Sequence, residues 1–346
     1  MPNYNKSQTG LKRSNFLKIS GGLIFGSFFL PFSSIAKDFS LLKEYNRSAF
    51  TMGSIVTFTV FHNNEQLCNK AIDQAIHEMK LIDKMMSVFD PYSQLSIVNS
   101  CSHENKTKVD SRIIEILNHA KRFSGQTGGA FDVTIEPLME LYGFRDDNSV
   151  THFPSDKKIA GIIDGVSIQN VEINNHTSTI SLTHPSTKID LGGIAVGYAI
   201  DRCVDIFKSF NIESVLINHS GDIYAMGTPP GIEYWEVGIV DPLHPDTIIT
   251  TVNIKNQALS TSGNYENYVE ADGKRIGHIL NPKTGKSSTS ILSGTTIAPT
   301  AIEADALSTG MFVMGLERSK RLINNLNNVR FVGVVNNGNE ETIVRL

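Results

Sequence analysis

Apolar residues recur at helical spacing through residues 66–87, where Ala71, Ala75, Met79, Ile82 and Met86 share one side. A second stretch with this period runs from residue 111 to about 124. It turns Ile113, Ile114, Leu117, Ala120 and Phe123 inward, and Gly125 is placed to end it. Residues 55–60 alternate and read as a strand, entered through Thr51-Met52-Gly53. Phe89-Asp90-Pro91-Tyr92-Ser93 breaks the pattern as a turn. Residues 171–173 and 179–182 predict a hairpin about Asn174-Asn175. Residues 188–191 predict a strand running into Gly192-Gly193 and then a helix to about residue 210. Residues 215–218 and 235–239 read as strands, the second stopped at Asp241-Pro242. The C-terminal pattern is a helix over 316–326, a strand over 329–335, an Asn-Asn-Gly turn and a last strand. No repeat or linker interrupts this, so the mature chain reads as one α+β domain with mixed or antiparallel sheets and packed helices.

One more helix start carries chemistry. Pro299 precedes Thr300, and Thr300 with Glu303 makes a capping box. Ala304, Leu307, Met311 and Met314 give the helix an apolar stripe. Asp305 and Thr309 stand four apart, so a carboxylate and a hydroxyl share one face. That is hard-oxygen ligation of the kind Mg²⁺ accepts. Read plainly, the same pair is a charge favoured by the helix dipole and a packing hydroxyl.

Composition narrows the function classes. Of 346 residues, 40% are hydrophobic and 19% charged, which is globular rather than disordered. The net charge of −4 argues against a nucleic-acid surface. Cys68, Cys101 and Cys203 form no CxxC and no zinc spacing, and leave one disulfide open. Lys12 and Arg13, a short apolar run over 19–32 and Ser34-Ile35-Ala36 predict an export signal over residues 1–36 and a mature chain over 37–346 outside the cytoplasm. A signal anchor that is not cleaved is the other reading.

Three further stretches have site character. Gly192-Gly193-Ile194-Ala195-Val196-Gly197 places a glycine turn at a helix start, where N–H groups and the dipole favour phosphate. It fits neither GxGxxG nor a P-loop, and tight packing is the alternative. Thr127-Gly128-Gly129-Ala130-Phe131-Asp132 is a corner where a backbone can approach a ligand or another strand. His278, in Gly277-His278-Ile279-Leu280-Asn281-Pro282, is of a type that titrates near neutrality, and a surface or core histidine is the alternative.

Taken in order, these stretches resemble the ApbE family, the FAD:protein FMN transferases. The likeness rests on Thr51-Met52-Gly53, Ser93-Gln94-Leu95-Ser96 with Asn99, Gly128 to Asp132, Asp190-Leu191-Gly192-Gly193-Ile194-Ala195 with Gly197-Tyr198, Thr261-Ser262-Gly263-Asn264-Tyr265, His278 to Pro282 with Thr284-Gly285, and Ala304 to Thr309. It implies an α+β domain holding FAD in a central cleft. It implies one Mg²⁺ held by Asp305, Thr309 and the main-chain oxygen of Gly193. Flavin contacts are implied at Met52, Phe89, Ala130, Phe131, Asp132, Val196 and Ile279, with His278 beside the phosphates. The implied reaction moves FMN from FAD onto a Thr or Ser hydroxyl of an acceptor protein and releases AMP, with His278 and Asp305 as catalytic residues. Implied acceptors are membrane redox-complex subunits or extracytoplasmic flavoprotein domains with a Ser/Thr-Gly-Ala-Thr-like motif, in the periplasm or at the outer face of the inner membrane. The chain departs from the family pattern at Val196, where lysine is common, at Ser220 of a Gly-Gly-Asp turn, and at Gln94, where an acid is usual. An FAD pyrophosphatase using water as nucleophile, or a non-catalytic periplasmic flavin-binding protein, would use the same residues.

Overall fold

The structure, a computed structural model, describes residues 42–101, 105–145, 152–265, 267–336 and 341–346. The predicted export signal lies outside the described residues, as do Asn337 and Gly338 of the predicted turn. Among the described residues no helix is long and apolar enough to cross a membrane.

The central sheet contains β1 (Lys43–Thr51), β2 (Ser54–His62), β3 (Ser214–His219), β4 (Asp222–Met226), β5 (Gln257–Gly263), β6 (Ser293–Ala298), β7 (Arg330–Asn336) and β8 (Glu341–Arg345). Spatial order follows chain order, and every pairing is antiparallel. The mixed alternative is thereby resolved. Strand alternation divides the two faces. Val56, Phe58 and Val60 point to one core, and Phe61 to another. Helices cover the first face. A two-stranded ribbon, Trp235–Val240 with Ile248–Ile254, covers the second.

The helices are α1 (Glu65–Met86), α2 (Gln94–Cys101), α3 (Ser111–Gln126), α4 (Glu136–Leu141), α5 (Asp156–Ala160), α6 (Ala195–Ser209), α7 (Ala301–Met314) and α8 (Leu316–Ile323). Helix α7 packs on β5 and β6, and α6 lies between α7 and α1. Phe58 and Phe207 are fully buried where β2 meets α6. Each such ring contributes roughly 1.5–3 kcal/mol of transfer free energy.

Several expectations change. Residues 188–191 are not a strand. The Asn99 side chain accepts from the Ile189 N–H at 2.7 Å and donates to the Ile189 carbonyl at 2.8 Å, and the Asp190 N–H donates to the Val133 carbonyl. Those partners replace a ladder. Helix α3 runs through Gly125 to Gln126. The stop comes at Gly128 and Gly129, whose φ values of +60° and +78° suit glycine. The final helix ends at Ile323, not Leu326. Helix α7 is buried almost all round instead of along one stripe. Residues 94–101 form a helix, and residues 257–263 form β5, neither of which was read from the pattern. Met52 and Gly53, both with positive φ, close the β1–β2 hairpin. All three cysteines are free.

Candidate functional site

Helix α7 is positioned at its first turn. The Thr300 side chain accepts from the Glu303 N–H. The Asp201 carboxylate of α6 accepts from the Ala301 and Ile302 N–H groups at 2.8 and 2.9 Å. Burial pushes Asp201 up to about 6, against the pull of those two amide bonds. One helical turn on, Asp305 lies buried against α6, and its Oδ2 accepts from the Gly197 N–H at 3.0 Å. Gly197 is required there. A Cβ would sit 2.4 Å from the Ala301 carbonyl oxygen and 2.8 Å from Asp305 Cβ.

The Thr309 side chain reaches the glycine corner that precedes α6. Its Oγ1 is 3.5 Å from where a Cβ on Gly193 would stand, and 3.2 Å from Ser262 Oγ. Phe131 closes the corner from the other side, 3.5 Å from the same Gly193 point. Asp305 and Thr309 thus meet the glycine segment at different residues, Gly197 and Gly193, and Ser262 of β5 lies beside Thr309.

Burial raises the Asp305 pKa well above the carboxylate range, and the Asp222 carboxylate adds to the rise. Two acids held near each other in a buried site favour a cation there. Among the described residues no three His, Cys, Asp or Glu side chains cluster in metal-binding fashion. The donors at hand are carboxylate, hydroxyl and main-chain oxygen, which fit a hard cation such as Mg²⁺ better than zinc. Helix α6 begins at Ala195 without a side-chain cap, facing this corner.

Beyond the corner lies a second group. His278 follows the short strand Lys274–Gly277 and is half-buried. Its Nδ1 is 3.1 Å from the Asn267 carbonyl, which can only accept, so Nδ1 carries the proton and Nε2 presents its lone pair. Burial lowers the His278 pKa below the usual value, partly offset by that backbone bond and by Asp190. The shift favours the neutral ring. Ile279 is buried beside it, its N–H donating to Asn264 Oδ1 at 3.0 Å.

The remaining sequence-named residues divide. Ala130 and Phe131 are buried at the corner, and Val196 is half-buried in the first turn of α6. Met52 is half-buried, its N–H donating to Asp83 Oδ2. Phe89 is 70% exposed. Asp132 does structural work. Its Oδ1 accepts from the Thr134 N–H and hydroxyl, and its Oδ2 accepts from the Ile168 N–H.

Sequence reasoning missed an ionic group beside His278. Arg145 binds Glu136 through Nε and Nη2, and the same Nη2 binds Asp190 Oδ2. Burial pushes Glu136 up to about 7 despite the guanidinium. The only signal in the sequence was a charge, Glu136, interrupting the apolar run of residues 133–139. A cavity of about 540 Å³ opens next to Asn264 and Gly277, with Tyr265, Tyr268 and Arg275 on its wall, and includes none of Gly193, Asp305 or Thr309.

An acid and a hydroxyl one turn apart on α7 are thus set against a glycine segment within an α+β domain. The comparisons specify which one. The ApbE family profile matches residues 52–332, and the chain belongs to that family. It is 30% identical over 245 residues to the FAD:protein FMN transferase of Escherichia coli K12, covering 70% of each chain. It is 29% identical over 277 residues to the one of Klebsiella pneumoniae, covering 79% of each. The crystal structure of an ApbE protein from Thermotoga maritima superposes with a TM-score of 0.80 at 30% identity, covering 88% of this chain and 97% of that one. The flavinyl transferase ApbE of Pseudomonas stutzeri gives 0.77 at 25% identity, covering 88% and 95%.

Proposed function

We propose that this protein transfers FMN from FAD to a Thr or Ser hydroxyl of an acceptor protein, releasing AMP, with Mg²⁺ at Asp305, Thr309 and Gly193. The carrying observation is that two residues one turn apart on α7 meet the same glycine segment: Thr309 Oγ1 lies 3.5 Å from the Gly193 position, and buried Asp305 accepts from the Gly197 N–H. A bound Mg²⁺ there would neutralise phosphate charge and polarise the bond that breaks.

The protein's own groups supply the rest. The N–H groups of Gly192, Ile194, Ala195 and Gly197 already donate within the protein, so phosphate oxygens are held by those of Gly193 and Val196 with the helix dipole. A free hydroxyl is a poor nucleophile at neutral pH and needs a base. His278 Nε2, held in the accepting tautomer by Asn267, takes the hydroxyl proton. The oxygen then bonds to the phosphorus on the riboflavin side, and the bridging oxygen leaves with AMP and is protonated. Phe89, Met52, Phe131 and Ile279 give the flavin its apolar surroundings. The acceptor carries a Ser/Thr-Gly-Ala-Thr-like motif, and the reaction takes place in the periplasm or at the outer face of the inner membrane, after export by residues 1–36.

Incubation with FAD, Mg²⁺ and an acceptor domain tests this. The expected result is a denatured acceptor band that stays fluorescent. Free FMN without a labelled band would make the protein a pyrophosphatase, and unchanged FAD would make it a carrier.

A further inference from the structure

The turn between α1 and α2 carries Phe89, 70% exposed and apolar. An exposed aromatic on a turn is ordinarily free to change rotamer, yet this ring is held. The Arg145 guanidinium lies over it, 5.1 Å from Cζ to the ring centroid. Arg145 is itself held: its side chain is only 15% exposed, and Glu136 and Asp190 take its donors from two directions. Asp190 in turn accepts from the Gly192 N–H at 2.8 Å, within the glycine corner.

We propose that Arg145 is a positioning residue that fixes Phe89 as a platform for the flavin ring, at a set distance from the phosphate corner. The inference deepens the proposed function and rests on its FAD site. The guanidinium covers one face of Phe89 and leaves the other to stack on a planar ring. Through Asp190 the same group is tied to the corner, so ring and phosphates are held in one register. Arg145 is not a replacement for the lysine common where Val196 stands. Its Nε and Nη2 donors are already taken by Glu136 and Asp190, so they are not free for a phosphate. A lysine would not substitute for it, because an ammonium lacks the planar fork that meets both carboxylates while lying flat on a ring.

The predicted signature is selectivity between the two halves of FAD. The test measures dissociation constants for FMN and for ADP, with the visible circular dichroism of bound FMN, in wild type, Arg145→Lys, Phe89→Leu and the double variant. Arg145→Lys should weaken FMN roughly two- to fivefold, the size of an exposed cation–π contact. ADP should stay within about twofold, and the dichroism of bound FMN should fall. The double variant should be no weaker than the worse single variant, because both remove the same platform. Additive effects, parallel losses for ADP, or unchanged FMN binding in Arg145→Lys would overturn the proposal. If Arg145→Lys yields little folded protein, Phe89→Leu still decides. Its ring is exposed, so folding does not depend on it, and FMN binding equal to wild type ends the proposal. Wild type that labels an acceptor while these variants behave additively refutes only the platform. Wild type that binds FMN and labels nothing refutes only the transferase reading.

Discussion

The site has two ends built differently. The end proposed for the cation, Asp305, Thr309 and the Gly193 corner, is made from α7, α6 and β5, with Asp305 buried by packing and Thr309 and Gly193 half-exposed. The other end, Phe89, Arg145 and His278, is made from a turn, the residue that follows α4 and its short loop, and a strand end, and is held by hydrogen bonds and one ionic group. The lesson is a division of labour. Charge stabilisation needs fixed dipoles in a dry place, whereas a protein substrate needs an open edge.

The largest effect should come from the cation end. Asp305→Ala should reduce Mg²⁺-dependent transfer to background in a turnover assay, and unchanged activity would move the metal elsewhere. In the same experiment Asp305→Asn should melt at a higher temperature than wild type in EDTA, because it removes a buried acid that Asp222 opposes. Added Mg²⁺ should raise the melting temperature of wild type only.

At the open end, His278→Ala should cost roughly 10²–10⁴ in rate, the range for losing a general base. The sign of the pH dependence follows from its lowered pKa. Neutral imidazole is the active form, so activity should fall as pH drops through a midpoint below 6.5. The alanine variant should lack that acid limb, and a limb that persists would assign the base elsewhere.

Gly197→Ala sharpens the contrast more gently. Its Cβ would strike the Ala301 carbonyl, so α6 and α7 must part, costing roughly 1–3 kcal/mol by denaturant melts. Mg²⁺ affinity should fall with stability, whereas a packing change at the open end would leave it intact. The smallest effect belongs to Thr300→Ala, about 1 kcal/mol from a lost cap. It should leave the pH profile of transfer unchanged.

The same division explains what the sequence showed. The cation end was legible because it is local. Asp305 and Thr309 share a helix face, Thr300 caps that helix, and glycines mark the corner. Long-range partnerships carry no period. Asp201 capping α7, Ser262 meeting Thr309, and Arg145 joining Glu136 to Asp190 each span distances that no window covers. Strand β5 was hidden for another reason. Its Ser and Thr residues face a buried hydroxyl network with Ser308 and Thr295, so polarity did not mark exposure. Residues 188–191 had strand character, but their neighbour is one side chain instead of a strand.

That neighbour, Asn99, governs how the glycine corner is hung. A single carboxamide imitates one rung of a sheet and suspends the approach to the corner from a short surface helix. Shifting that helix would re-aim the glycine corner while leaving the eight-stranded scaffold untouched.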